Sequence, residues 1–163
     1  MKSQSIKPPK FLYHGSKFDN EGKPLYPGFH FTGEVVVWDG GLETNEFLYA
    51  TTVASEAILL GLGSLIEKDY GADRYECGPG MVVVHNADPK LTEKVLKGLT
   101  VYMYTIVPKQ NGGWVKVNNP FNNIDTEWKT NRPVEDYVKV AVEIGPWLKK
   151  NGYELHFKRK GKD

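Results

Sequence analysis

Three short stretches of this chain hold residue types that chemistry uses. Tyr13-His14-Gly15-Ser16 sets an imidazole beside backbone that a glycine leaves open to close approach. Such an edge can clamp a ribose or an amide, and the same residues serve equally as a histidine closing a strand and a turn. Leu48-Tyr49-Ala50-Thr51-Thr52 puts a flat ring just ahead of a helix start, where amide donors and the positive end of the dipole gather. Core packing of Tyr49 and capping by the threonines would account for that stretch as well. Asp125-Thr126-Glu127-Trp128 places a carboxylate beside a tryptophan, from where it can face a cleft and stabilise positive charge developing on a sugar. A solvated loop acid is the alternative reading, and the usual fate of a glutamate.

Other chemistries find no pattern. There is no G-x-x-x-x-G-K-[ST] phosphate loop and no G-x-S-x-G nucleophile elbow. Gly61-x-Gly63 lacks the third glycine of a dinucleotide fingerprint and follows apolar helix rather than strand. His14, His30, His85 and His156 show no metal-ligand spacing, so no metal is expected. Cys77, the single cysteine, has only Arg74 as a basic neighbour and reads as an incidental loop thiol; alone, it allows neither an internal disulfide nor a cysteine-rich zinc site.

The elements that must position these residues are mostly short strands. Phe11 to His14, Phe47 to Ala50 and Met81 to His85 have strand length and punctuation, and Leu99 to Val107 is the clearest strand, β-branched and aromatic throughout. Val134 to Ile144 and Tyr153 to Phe157 alternate with period two. Thr51 or Thr52 reads as the cap of a helix that begins at Val53 and ends or bends at Gly61 and Gly63; a second, short helix spans Leu91 to Lys97 and stops at Gly98. Phe29 to Phe31 reads as a short extended piece, and the Glu34 to Gly41 stretch, with its Val-Val-Val-Trp run, closes in a turn at Asp39-Gly40-Gly41. Residues 17–28, 69–80 and the polar stretch after Val107, through Gly112-Gly113 and Asn118-Asn119-Pro120, read as loops. Strands outnumber helices and run to the end, which predicts an α+β fold with a mainly antiparallel sheet.

At 163 residues the chain has the length of one domain, with 40% hydrophobic and 25% charged residues, ordinary globular usage. No window approaches the roughly 18 uninterrupted apolar residues of a membrane span. Met1 to Lys10 has no apolar core, so no signal peptide is expected, and the simplest compartment is a reducing cytosol. Residues 1–10 hold three lysines and no acid, and residues 149–163 hold six basic side chains against two acidic ones, which leaves the body between them net acidic. Basic ends on an acidic body could steer an anionic partner such as nucleic acid, or simply aid solubility. The domain proper is placed at 11–157, between a basic N-terminus, 1–10, and a basic tail, 158–163.

In order along the chain, Leu12-Tyr13-His14-Gly15-Ser16, Leu48-Tyr49-Ala50-Thr51 entering Ala54-Ser55-Glu56-Ala57, Val101 to Pro108, and Glu127-Trp128-Lys129 resemble the ADP-ribosyltransferase family of the His-Tyr-Glu type. The resemblance covers about residues 11 to 140. It implies two small, mainly antiparallel sheets packed roughly perpendicular, with flanking helices and an NAD cleft between them. It also implies that His14 bonds the adenosine ribose and Gly15 the nicotinamide amide, that Tyr49 stacks on the nicotinamide ring, and that Ser16 and Thr51 add polar contacts. Glu127 would hold the nicotinamide ribose and stabilise its oxocarbenium-like transition state, with Glu135 a competitor for that role. NAD would be a consumed co-substrate and no metal would be required.

Arginine-modifying relatives carry Glu or Gln two residues before the catalytic Glu; that position is Asp125 here. The expected acceptor is a macromolecule, a protein in preference to nucleic acid. An NAD glycohydrolase and a non-catalytic nucleotide- or partner-binding module are the alternatives. Removal of a terminal RNA phosphate, which wants clustered arginines, ranks last with only Arg74, Arg132 and Arg159 present. Small stand-alone members of the family occur as phage and bacterial effectors, which for a phage protein implies the host cytoplasm.

Overall fold

The computed structural model describes residues 7–27, 47–117 and 126–159. The Phe29–Phe31 piece, the Glu34–Gly41 stretch, His30, Asp125, Asn118-Asn119-Pro120, most of the N-terminal basic segment and the tail beyond Arg159 lie outside these residues. Within them the chain forms β1 (Leu12–Ser16), β2 (Leu48–Thr51), α1 (Ala54–Tyr70), β3 (Arg74–Gly78), β4 (Met81–His85), α2 (Glu93–Lys97), β5 (Thr100–Ile106), β6 (Val115–Lys116), β7 (Glu127–Thr130), β8 (Tyr137–Glu143), α3 (Ile144–Lys150) and β9 (Glu154–Lys158). The fold is α+β. A six-stranded antiparallel sheet has the order β6-β7-β2-β1-β5-β8, and a three-stranded sheet has the order β3-β4-β9. In the smaller sheet β4 pairs antiparallel with β3 and parallel with β9.

Alternation along the strands of the large sheet sends residues to two cores. Leu12, Leu48, Ala50, Tyr104, Ile106 and Trp128 face one side, where Leu25, Trp114 and Val134 close over them. On the other side, Val101 of β5 meets Ile58, Leu62 and Ile66 of α1, and the same cluster takes in Val82 and Val84 of β4. Helix α1 therefore joins the two sheets, with apolar residues recurring at helical spacing.

Several elements differ from the sequence expectation. Helix α1 passes through Gly61 and Gly63 without ending and stops at Gly71, in the left-handed conformation with φ of 63°. Both inner glycines are contact points: a Cβ on Gly61 would lie 2.6 Å from Val101 Cγ1 and 2.9 Å from the Ser16 amide, and one on Gly63 would lie 2.5 Å from the Tyr75 ring. Their helix-propensity cost is offset by close packing. The helix cap is Val53, with no side-chain cap bond; Thr51 instead accepts from the Val53 amide at 3.2 Å.

The loop expected over 69–80 contains β3, with Cys77 on it. Four of its five residues are exposed, so it carries no apolar alternation to read, and pairing with β4 holds it. Two-residue β6 lies in the polar stretch expected to be loop. The strand expected to run to Ile144 ends at Glu143, because Ile144 opens α3. Pro146 falls in the first turn of that helix, where its missing N–H costs nothing. Strand β9 extends to Lys158, one residue into the segment read as a tail, and Arg159 donates to the carbonyls of Ala87 at 3.0 Å and Leu91 at 2.9 Å.

Candidate functional site

A cavity of about 470 Å3 opens between helix α1 and the middle of the large sheet. Strand β1 contributes Tyr13, His14 and Gly15, β2 contributes Tyr49, Ala50 and Thr51, and β7 contributes Glu127. The helix adds Ala57, Leu60, Gly63, Ser64, Glu67 and Lys68, and Tyr75 comes from β3. The volume falls in the range of about 300–1,000 Å3 usual for small-molecule sites.

Register explains how these residues meet. Thr51 pairs with Glu127 and Tyr49 with Lys129, so Tyr49 and Glu127 are diagonal neighbours on one face. Tyr13 pairs with Thr51 and shares that face. Tyr49 keeps 36% of its surface exposed, and its ring lies 6.3 Å from that of Phe47, over which Lys129 Nζ sits at 4.2 Å.

His14 leaves β1 on the opposite face, with buried Leu12 and Ser16, and its ring lies 6.1 Å from Tyr104. It reaches the cavity at a gap in the sheet. β1 and β2 share only the Tyr13–Thr51 pair, and His14 Nδ1 donates to the Tyr49 carbonyl at 2.6 Å. A carbonyl only accepts, so the proton sits on Nδ1 and Nε2 carries the lone pair. Burial pulls the imidazole down to about 4 against the smaller opposing effect of that bond, so it is neutral at pH 7.

The neutral, buried imidazole has a consequence for stability. Its depressed folded pKa means its contribution is full above about 6.5, the unfolded value, and is lost as pH falls toward 4. Roughly 3 kcal/mol of stability should disappear over that window. Urea unfolding at stepped pH should show this slope in the wild type and lack it in His14→Asn; equal slopes would show that His14 does not titrate this way.

Glu127, half-buried at the start of β7, has its carboxyl pushed above the usual range by burial and then by the charge of Glu56, with Lys129 opposing. Glu56, in the first turn of α1, accepts at Oε2 from the hydroxyls of Thr51 at 2.8 Å and Thr126 at 2.9 Å. Glu135 is exposed and lines a separate small hollow with Lys109 and Trp114. Ser16 is buried away from the cavity lining, its hydroxyl accepting from the Phe18 amide at 3.0 Å.

The glycine at position 15 serves the fold directly. A Cβ there would lie 1.7 Å from the Ala57 carbonyl oxygen, so the close approach that Gly15 permits is that of helix α1. Sequence reading missed the helical wall of the site, Leu60, Ser64 and Glu67, and Glu56 one turn before it. Their spacing of four, four and three is one helical stripe, a signal present in the sequence once α1 is known to continue past Gly63. Tyr75, whose phenol burial pushes far up, stands on β3, in the stretch whose sequence reads as loop.

Among the described residues no group of three or more His, Cys, Asp or Glu is placed to hold a metal ion, and no helix is long and apolar enough to cross a membrane. Each arginine contacts its own chain: Arg74 pairs with Glu76 at 3.1 Å, Arg132 donates to the Asn111 carbonyl at 2.5 Å, and Arg159 holds Ala87 and Leu91. Compared with known proteins, the chain matches no family model, no curated protein and no solved structure.

Proposed function

We propose that the cavity binds NAD and that the protein transfers ADP-ribose from it to a macromolecular acceptor, a protein in preference to nucleic acid. The observation that carries this reading is the presence of Tyr49, Glu127, His14 and Gly15 in the lining of one cavity, although they come from three strands distant in sequence. Tyr49 offers a partly exposed ring for the flat nicotinamide, and His14, bonded to the Tyr49 carbonyl, lies in the wall beside it. Glu127 supplies a negative charge in a partly desolvated position.

The chemistry asks little more. The bond from the ribose anomeric carbon to the pyridinium nitrogen breaks, and nicotinamide leaves neutral with the electron pair. Positive charge then develops on the ribose, where the Glu127 carboxylate stabilises it. An acceptor nucleophile forms the new bond and loses its proton. The protein's task is orientation plus one anion, so no general acid is needed on the leaving group.

The test is incubation of the pure protein with NAD labelled in its adenylate, alone and with cell lysate. Label on protein together with free nicotinamide supports the reading. Nicotinamide release without any acceptor identifies a glycohydrolase, and label on nucleic acid corrects the acceptor class. Neither binding nor release of nicotinamide overturns it. Within this reading Tyr49→Ala should raise KM for NAD by roughly 10-fold or more, since stacking on an aromatic ring is worth about 1–3 kcal/mol per base. Steady-state kinetics of nicotinamide release would check this, and an unchanged KM would remove Tyr49 from the binding role.

A further inference from the structure

We propose that Glu56 is a positioning residue of this site, tying the end of β2 to the residue that precedes Glu127 and so holding the Glu127 carboxylate in the cavity wall. The inference rests on the NAD reading for what Glu127 does, but on the geometry alone for where Glu127 stands. Glu127 opens β7, where its main chain pairs with Thr51 of β2 and its carbonyl accepts from the Val117 amide at 2.9 Å.

Two kinds of contact converge there. The Thr52 amide donates to the Thr126 carbonyl at 2.9 Å, continuing the β2–β7 ladder past its last pair. The Thr51 and Thr126 hydroxyls, one from each strand, both donate to Glu56 Oε2, at 2.8 and 2.9 Å. Thr51 also accepts from the Val53 amide at 3.2 Å, which orients its proton toward Glu56. One carboxylate oxygen thus bridges β2, the entry to β7 and the first turn of α1. Charge-assisted bonds of this kind are stronger than neutral ones.

The clamp has an electrostatic side. The titratable groups facing Glu127 are Glu56 from α1, Lys129 from its own strand and Tyr49 from β2, while Glu67 and Lys68 line the same cavity from later turns of the helix. Burial raises the proton affinity of Glu127 most, Glu56 raises it further and Lys129 lowers it. Glu56 therefore both places the carboxylate and adds to the rise in the pH at which it ionises.

Two variants separate these roles. Glu56→Gln keeps an acceptor oxygen and loses the charge, whereas Glu56→Ala loses both. The Glu127 carboxyl is followed by carbon-13 NMR in protein labelled at glutamate, its signal identified by its loss in Glu127→Gln. The titration midpoint of Glu127 should fall in both variants. In Glu56→Ala, kcat for nicotinamide release should fall on the order of 10²-fold, as a misplacement of about 1 Å can cause, with KM for NAD little changed. Glu56→Gln should recover a large part of that loss.

A midpoint unmoved in both variants, or wild-type turnover in Glu56→Ala where Glu127→Gln is slowed, would overturn the proposal. If the wild type releases no nicotinamide, the NAD reading fails, and the midpoint still decides for or against the link between the two glutamates. Should Glu56→Ala fail to fold, Thr126→Val removes one donor of the same clamp and should lower kcat in the same direction.

Discussion

Glu127→Gln should leave the fold intact and slow nicotinamide release by roughly 10²–10³-fold, the loss seen when one electrostatic stabiliser is removed from a comparable transition state. Glutamine keeps the shape of the side chain and its capacity to bond a ribose hydroxyl, and removes only the charge. Glu127 is half-buried and lies near a second carboxylate, so its charge is poorly solvated and acts strongly on a cation formed beside it. The same surroundings set the pH dependence. Ionised Glu127 is the active form and its pKa is raised, so activity should fall on acidification, with a midpoint above the ordinary glutamate value of about 4.3. The residual rate of the variant should lack this limb.

Stability should move the other way. A carboxyl with a raised folded pKa favours the fold when protonated, and that advantage is lost as pH rises through the folded value. Above that value the amide therefore removes a desolvation cost and a repulsion from Glu56. The thermal midpoint of Glu127→Gln should equal or exceed that of the wild type. Wild-type turnover in this variant would refute the assignment, and a lowered midpoint would assign the lost activity to folding.

Gly15→Ala should cost about 3 kcal/mol or more of stability, although the change adds a single methyl group. Its Cβ would lie 1.7 Å from the Ala57 carbonyl oxygen and 2.5 Å from the carbon of that group, both main-chain atoms of a continuous helix. No side-chain rotation relieves such a contact, so helix α1 must move away from β1. Gly61 faces back across the same interface, 3.0 Å from the Gly15 carbonyl carbon at its would-be Cβ, so the two glycines form one close seam. Gly78, on exposed β3, would place its Cβ with nothing within 4 Å, and Gly78→Ala should change stability by about 0.5 kcal/mol or less. Urea unfolding of the two variants side by side checks the contrast. Equal stabilities would mean that the helix does not sit this close. Because Gly15 also lines the cavity, activity lost in Gly15→Ala reports helix displacement and is no measure of contact with a ligand.

Local pattern alone located most of the strands, because alternation and punctuation are properties of neighbouring residues. Leu99 to Val107 became β5 with one residue trimmed from each end, and the Leu12 and Leu48 strands lie within a residue or two of their expected places. The elements that escaped have little local signature: β3 is nearly all exposed, β6 and β7 are two and four residues long, and α3 is a short helix whose proline sits in its first turn. Residue chemistry likewise singled out His14, Tyr49 and Glu127 as types, but left open whether each was a capping, packing or solvated side chain.

Only the tertiary structure decided which of these share a space. The β2–β7 register sets Tyr49 diagonal to Glu127, while Glu135, eight positions further on, faces a different hollow. The close seam at Gly15 and Gly61 turned two apparent interruptions into the contact that brings α1 against β1, and with it Glu56 and the helical wall of the cavity. Registers and helix approach distances are fixed by contacts between segments distant in the chain, where side-chain volume on both partners sets the fit. Such pairings leave no periodic trace within either segment read alone.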